Sequence, residues 1–299
     1  MKVLVTGTSG QLGYDVMEEL LKRGHEAIGA DRSGGEGKFK KVRLDITDAK
    51  KVSEVVEELK PDAIIHCAAW TNVDGAEAPE NLEKVRAVNV EGTKNLAEAG
   101  KKVDAKFVYI STDYVFNGEG SRPWQADDKN YAPINVYGQS KLDGEKEVAR
   151  ILDKYFIVRI AWVFGRNGKN FVKTMIKVGS EHAIVKVVDD QIGTPTYTYD
   201  LARLLVDMIE SDKYGYYHAT NEGGYISWAD FTEEIFKQAG ISSKVEKVST
   251  EEYEKIAGKT VAKRPFNSRL DKSKLVEAGF EPLPTWQDAL RRYLKETKE

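Results

Sequence analysis

Two hydrophobic periods alternate along the first half of the chain. The runs "KVLVTG" (2–7), "EAIGAD" (26–31), "KVRLDI" (41–46), "DAIIHCAA" (62–69), "AKFVYIST" (105–112) and "YFIVRIAW" (155–162) are short and largely apolar, which suits strands buried on both faces of a sheet. Between them the period lengthens to that of a helix. "QLGYDVMEELLKRG" carries Leu12, Val16 and Leu20 on one face and ends at Gly24, a C-cap. "DAKKVSEVVEELKP" places Val52, Val55, Val56 and Leu59 inward and stops at Pro61, and "APENLEKVRAVNVEGTKNLAEAGKK" (78–102) predicts a longer third helix. This alternation predicts a doubly wound α/β fold, a Rossmann-like parallel sheet with helices on both faces.

After about Gly165 the texture changes. "NFVKTMIKVG", "TYDLARLLVDMIES", "WADFTEEIFKQAG" and "TWQDALRRYLKET" predict amphipathic helices, separated by the short strands "AIVKVV", "YYHATN" and "KVEKV". The expected division is a dinucleotide-binding domain over 1–165 and a mainly substrate-binding α+β portion over 166–299, some of whose segments return to the first domain.

Composition narrows the function classes. With 299 residues, 41% hydrophobic and 31% charged, and a formal net charge of −3, nothing in the composition suggests a basic face for nucleic acid. Its N-terminal apolar run is too short for a signal peptide or a membrane span. One cysteine, Cys67, sits in an apolar run, so no intramolecular disulfide is possible and a reducing cytoplasm is expected. The four histidines have no metal-ligand spacing and predict no metal site.

Two constellations carry chemistry. "VTGTSGQLG" sets Gly7, Gly10 and Gly13 between the first strand and the first helix, where glycines permit a tight turn and a helix N-terminus can face a pyrophosphate. Gln11 and Leu12 lie within that loop. Asp31 closes the second strand, where a carboxylate can accept from ribose hydroxyls, or serve only as a turn residue. Arg32 beside it could face a 2′-phosphate, so both NADPH and NADH stay open. In "NVYGQSKLDGEKEVA", Tyr137 and Lys141 share a helix face at i,i+4. An ammonium beside a phenol favours the phenolate and suits acid–base work, although surface neighbours would show the same spacing.

Together, the glycine loop, the Tyr-x-x-x-Lys pair and "YISTD" at a strand end resemble the extended short-chain dehydrogenase/reductases. "AAWTNVDGAE", "STDYVFNG", "PINVYGQSKLDGE", "DDQIGTPT" and "RPFNSRLD" narrow the resemblance to the dTDP-4-dehydrorhamnose reductases, over nearly the whole chain. That resemblance implies reduction of the C4 keto group of dTDP-4-dehydro-L-rhamnose to dTDP-L-rhamnose with NADPH or NADH, within dTDP-L-rhamnose biosynthesis. It implies that Thr112 hydrogen-bonds the C4 oxygen, that Tyr137 donates the proton, and that Lys141 binds nicotinamide ribose and lowers the tyrosine pKa. Asp45 and Ile46 match the pair beside the adenine, and Ala68, Ala69 and Trp70 follow the fourth strand near the cofactor. Val73, Asp74, Asp113, Tyr114, Trp162 and Asn170 match positions facing the nucleotide-sugar, and Arg264, Asn267 and Arg269 are pyrophosphate or sugar contacts.

Plainer roles compete for several of these residues. Trp162 could be core, and Arg264 could make a loop-fixing salt bridge. Asn89 is expected as a buried structural amide, and Asp127 and Asp128 as loop carboxylates. The chain departs from its relatives at Ala126, where Glu is usual, and at Trp70, where Tyr or His is commoner. Sister 4,6-dehydratases need an Asp-Glu pair after the threonine, whereas Asp113 is followed here by Tyr114. Another nucleotide-sugar reductase, an epimerase, or a regulatory β subunit of methionine adenosyltransferase are the alternative readings. A homodimer is compatible with the chain; nucleic-acid and membrane partners are not expected.

Overall fold

The computed structural model describes residues 1–33, 38–257 and 262–297. The apolar runs form β1 (Lys2–Thr6), β2 (Glu26–Asp31), β3 (Lys41–Arg43), β4 (Ala63–His66), β5 (Lys106–Thr112) and β6 (Tyr155–Ile160). With the strand Gly215–His218 they make a seven-stranded parallel sheet in the order Gly215–His218, β6, β5, β4, β1, β2, β3.

Alternate side chains of each strand enter two different cores, as a parallel sheet covered on both faces requires. Val3, Val5, Ile65 and Val158 face α1 (Gln11–Lys22) and a later helix, Thr198–Ile209. Leu4, Ile64, Phe107 and Tyr109 face α2 (Ala49–Leu59) and the helices that follow it. β1 lies between β2 and β4, so the winding reverses at its C-terminal end, the place where doubly wound sheets bind their ligands.

The structure departs from the predicted elements at two places. "KVRLDI" forms a strand only over Lys41–Arg43, because Asp45 turns the chain: its Oδ1 accepts from Thr47 N (3.0 Å) and Thr47 Oγ1 (2.8 Å). The long third helix is broken. α3 (Val73–Ala76) is followed by a 3₁₀ turn at Pro79–Asn81, α4 (Leu82–Arg86), a π turn at Ala87–Glu91 and α5 (Gly92–Lys102). Gly92 lets the Ile46 side chain pack closely there, since a Cβ would lie 2.7 Å from Ile46 Cδ1.

α6 (Val136–Ile151) packs against β5 and the π turn. The C-terminal portion has a separate core of Phe164, Val172, Phe231, Trp286 and Tyr293, built from α7 (Phe171–Glu181), α9 (Trp228–Ala239) and the helix Trp286–Glu296. Two of its segments join the central sheet region: α8 (Thr198–Ile209) packs on α1, and Gly215–His218 pairs with β6.

Candidate active site

The glycine loop is shaped by close backbone approach. Gly7 has φ 72°, and a Cβ there would lie 2.7 Å from Ala68 N. A Cβ on Gly13 would overlap the Gly7 carbonyl, so only glycine lets α1 start this near the loop. α1 begins at Gln11 with Gly10 as N-cap, and no side chain caps it. Its first-turn N–H groups therefore remain for an anion, and the cradle fits a dinucleotide pyrophosphate.

Asp31 is more engaged than its sequence position suggests. Its Oδ2 accepts from Thr8 Oγ1 (2.5 Å), Ser9 N (2.8 Å) and Ser9 Oγ (3.0 Å), which ties the glycine loop to the end of β2. Arg32 is exposed beside it and contributes positive charge towards Asp45. Asp45 sits below its usual pKa, held there first by the Thr47 amide. Ile46 is buried against Gly92, and its carbonyl accepts from Asn95 Nδ2 (2.9 Å). Ala68 N donates to Thr6 Oγ1 (3.2 Å), and Ala68, Ala69 and Trp70 lie half-buried beyond the end of β4. Asn89, in the π turn, fixes them: its Oδ1 accepts from Trp70 N (2.8 Å), while its Nδ2 donates to Trp70 O (3.2 Å) and Ser140 Oγ (2.9 Å). The expected structural amide is found, and it joins the loop after β4 to α6.

Thr112 ends β5, and its hydroxyl donates to Asp113 Oδ1 (3.0 Å). Tyr137 stands in the first turn of α6, whose N-cap Asn135 accepts from Gly138 N (2.7 Å). A Cβ on Gly138 would overlap the Tyr114 carbonyl, so glycine brings this turn against Tyr114, whose ring meets Tyr137 edge-on at 5.7 Å. Burial pushes the Tyr137 phenol well above its usual range; Asp113 adds to the rise and hydrogen bonding to Thr112 opposes it. Lys141, 3% exposed, is pushed down to about 7, chiefly by burial, with Glu145 opposing. The i,i+4 spacing led us to expect a lowered phenol pKa. The protein's own groups give the opposite direction, because burial of the phenol, with Asp113 beside it, outweighs the hydrogen bond to Thr112; the Lys141 Nζ lies over the Tyr109 ring, 4.1 Å from its centroid.

The expected sugar contacts separate into two sets. Asp113 is buried and lifted to about 6 by desolvation, against hydrogen bonds from Ser268 and Thr112. Val73 and Asp74 lie on α3, and Asp74 receives both Arg264 Nη2 (2.9 and 3.0 Å) and Ala262 N (3.0 Å). This pair straps α3 to the C-terminal loop. Trp162 adopts φ 51°, is half-buried, packs against the small core of Val115, Phe116 and Leu142, and stacks on Trp228 at 3.7 Å.

Asn170 and Asn267 have their amides committed elsewhere. Asn170 caps α7 through Lys173 N (3.0 Å) and donates to Gly165 O (2.7 Å) and Gln11 Oε1 (3.1 Å). Asn267, 1% exposed, donates to Arg122 O (2.9 Å) and Glu119 O (3.2 Å) and accepts from Arg269 Nη1 (3.1 Å). For these two the motif position gave a substrate role, whereas the side chains hold loops. Asp127 pairs with Lys274 (2.5 Å) and Asp128 with Arg122 (2.7 Å), as loop carboxylates.

Sequence reasoning missed the support beneath the site. Arg159, fully buried, pairs with Glu145 (2.8 Å) and donates to Ala126 O (3.1 Å) and Tyr131 Oη (2.9 Å), linking α6 to the loop that carries Ala126. An arginine inside an apolar strand was the available signal. His66 is buried between Thr6 Oγ1 (2.7 Å) and Thr93 Oγ1 (3.1 Å), and desolvation drives it down to about 3. Burial pushes the Cys67 thiol up to about 12, so it is an unreactive thiol.

The family model described as RmlD substrate binding domain matches residues 1–299. A dTDP-4-dehydrorhamnose reductase of Aggregatibacter actinomycetemcomitans is 38% identical, over 97% of this chain and 97% of its own length. The crystal structure of a dTDP-4-dehydrorhamnose reductase from Clostridium acetobutylicum is similar at a TM-score of 0.91 and 40% identity, covering 100% of each chain. That of a dTDP-4-dehydrorhamnose reductase from Bacillus anthracis, in complex with NADP, gives 0.89 and 41% identity over 99% of each chain.

Proposed function

This chain belongs to the RmlD substrate-binding-domain family, and from that premise we propose that it reduces the C4 keto group of dTDP-4-dehydro-L-rhamnose to dTDP-L-rhamnose with NADPH or NADH. The observation that carries the residue assignment is the meeting of Thr112, at the end of β5, with Tyr137 in the first turn of α6, with Lys141 one turn further along that helix. In this reading residues 1–165 hold the cofactor and much of 166–299 holds the sugar. Gly7, Gly10, Gln11, Leu12 and Gly13 take the pyrophosphate; Asp31, Arg32, Asp45 and Ile46 take the adenosine end; Ala68, Ala69 and Trp70 lie along it.

A bound reduced nicotinamide supplies the hydride. The protein's own work is at the C4 oxygen, where negative charge develops. Tyr137 retains its proton at neutral pH, since its pKa is raised, and is therefore present as the acid. As that proton leaves, the Lys141 ammonium one turn away stabilises the phenolate. Thr112 donates its hydroxyl to the same oxygen by turning from Asp113. Asp113, Tyr114, Val73, Asp74, Trp162, Arg264 and Arg269 are the nearby groups for the nucleotide-sugar. The protein is read as cytoplasmic, which its single, half-buried free thiol, Cys67, supports.

The test is consumption of NADPH or NADH on adding dTDP-4-dehydro-L-rhamnose. Tyr137→Phe should lower the rate by about 10²–10⁴-fold while leaving NADPH affinity nearly unchanged. Folded protein that consumes neither cofactor overturns the activity. A Tyr137→Phe protein at the wild-type rate overturns the acid.

A further inference from the structure

Lys141 presents a problem in charge burial. Its side chain is 3% exposed, and an ammonium removed from water needs a compensating partner. Glu145, one turn further along α6, has its carboxylate committed to the fully buried Arg159, to Nε (2.9 Å) and Nη2 (2.8 Å). Cys67, beyond β4, and His66, on β4, also face the ammonium, and burial keeps both uncharged near neutral pH. Tyr137 on the same helix keeps its proton. Among the described residues, the remaining neighbour is the ring of Tyr109 on β5, with Lys141 Nζ 4.1 Å from its centroid, well inside the range of a cation–π contact.

The ring is held in place for this. Tyr109 is fully buried, and its hydroxyl donates to the carbonyl of Lys141 itself (3.2 Å). A Cβ at Gly144 would overlap that hydroxyl, so the glycine one turn along the helix leaves room for the phenol. The His66 ring, fixed between two threonines, packs on Tyr109 with centroids 5.9 Å apart. We propose that Tyr109 is a positioning residue of this active site, whose aromatic face holds the Lys141 ammonium charged and in register with Tyr137. The inference rests on the reading of Lys141 as the partner of Tyr137.

The alkaline limb of kcat/KM for the sugar, at saturating NADPH, reads the contact. Activity falls as pH rises through the titration of Lys141. Removing the aromatic face disfavours the ammonium, so Tyr109→Leu should move that limb to lower pH by about 0.5–1.5 units. Tyr109→Phe retains the face and should keep the limb at its wild-type position. Should the leucine variant fail to fold, ring-fluorinated phenylalanines at position 109 weaken the face without changing its shape. The limb should then move to lower pH with each added fluorine. An unmoved limb in folded Tyr109→Leu, or across the fluorinated series, overturns the inference. Lys141→Met separates the two readings: wild-type activity in that variant overturns the role of Lys141 itself, whereas its inactivity with an unmoved limb overturns only the role of Tyr109.

Discussion

Asp113 is 2% exposed, and its Oδ2 has no hydrogen-bond partner among the described residues. Its folded pKa, raised to about 6, lies above the ordinary 3.8. A carboxyl shifted upward favours folding below the unfolded pKa, and that benefit is lost as pH rises from about 4 through 6. At neutral pH the ionised group therefore costs stability, with one carboxylate oxygen buried and without a partner among the described residues. Asp113→Asn should raise unfolding free energy at pH 7.5 by about 1–3 kcal/mol, with the gain vanishing near pH 4, and should lower kcat/KM. Denaturant unfolding at the two pH values checks this; no gain at pH 7.5 would contradict it. Residue types were legible in the sequence here, but their commitments were not. Asp31 and Asn267 sit at motif positions, yet their partners, Ser9 and Arg122, lie across loops whose approach depends on the assembled fold.

Among the elements, α1 shows what a glycine at a helix start does. The Gly13 Cα faces the Gly7 carbonyl so closely that a methyl group must push the helix away from its loop. Overpacking of this kind costs about 1–3 kcal/mol, and because it falls on the pyrophosphate cradle it should appear in binding. Gly13→Ala should weaken NADPH binding about 10–100-fold, read by fluorescence titration. Unchanged affinity would mean that the loop yields and the cradle is not built by this contact. The glycine loop, α1 and the Tyr-Lys helix were legible because their signals are local: spacing, period and caps. The π turn at Ala87–Glu91 was not, since the pattern of 78–102 continues through it. What breaks the ladder is tertiary, the Asn89 amide bound to the Trp70 peptide and to Ser140.

Across the whole molecule, the two cores on either face of the sheet follow from strands apolar at consecutive positions, and that pattern predicted the doubly wound fold. Where the later segments return was not in the pattern. α8 settles on α1 through Thr198 Oγ1 and Arg166 Nη2 on the buried Asp15 (2.6 and 3.0 Å), partners far apart in the chain. Such pairings are chosen by the folded surfaces, and local period carries no record of them. The consequence for function is that the sheet end bearing the glycine loop and α6 stands beside the Trp162–Trp228 stack. In our account this brings cofactor and sugar together for one net transfer of hydride to C4, with Tyr137 giving the proton. The most direct measurement uses NADPH deuterated at the transferable position of its nicotinamide and follows the product by NMR. The account predicts dTDP-L-rhamnose carrying one deuterium, at C4, formed in step with NADPH consumed. Product without deuterium at C4, or sugar altered with no net loss of NADPH, would contradict it.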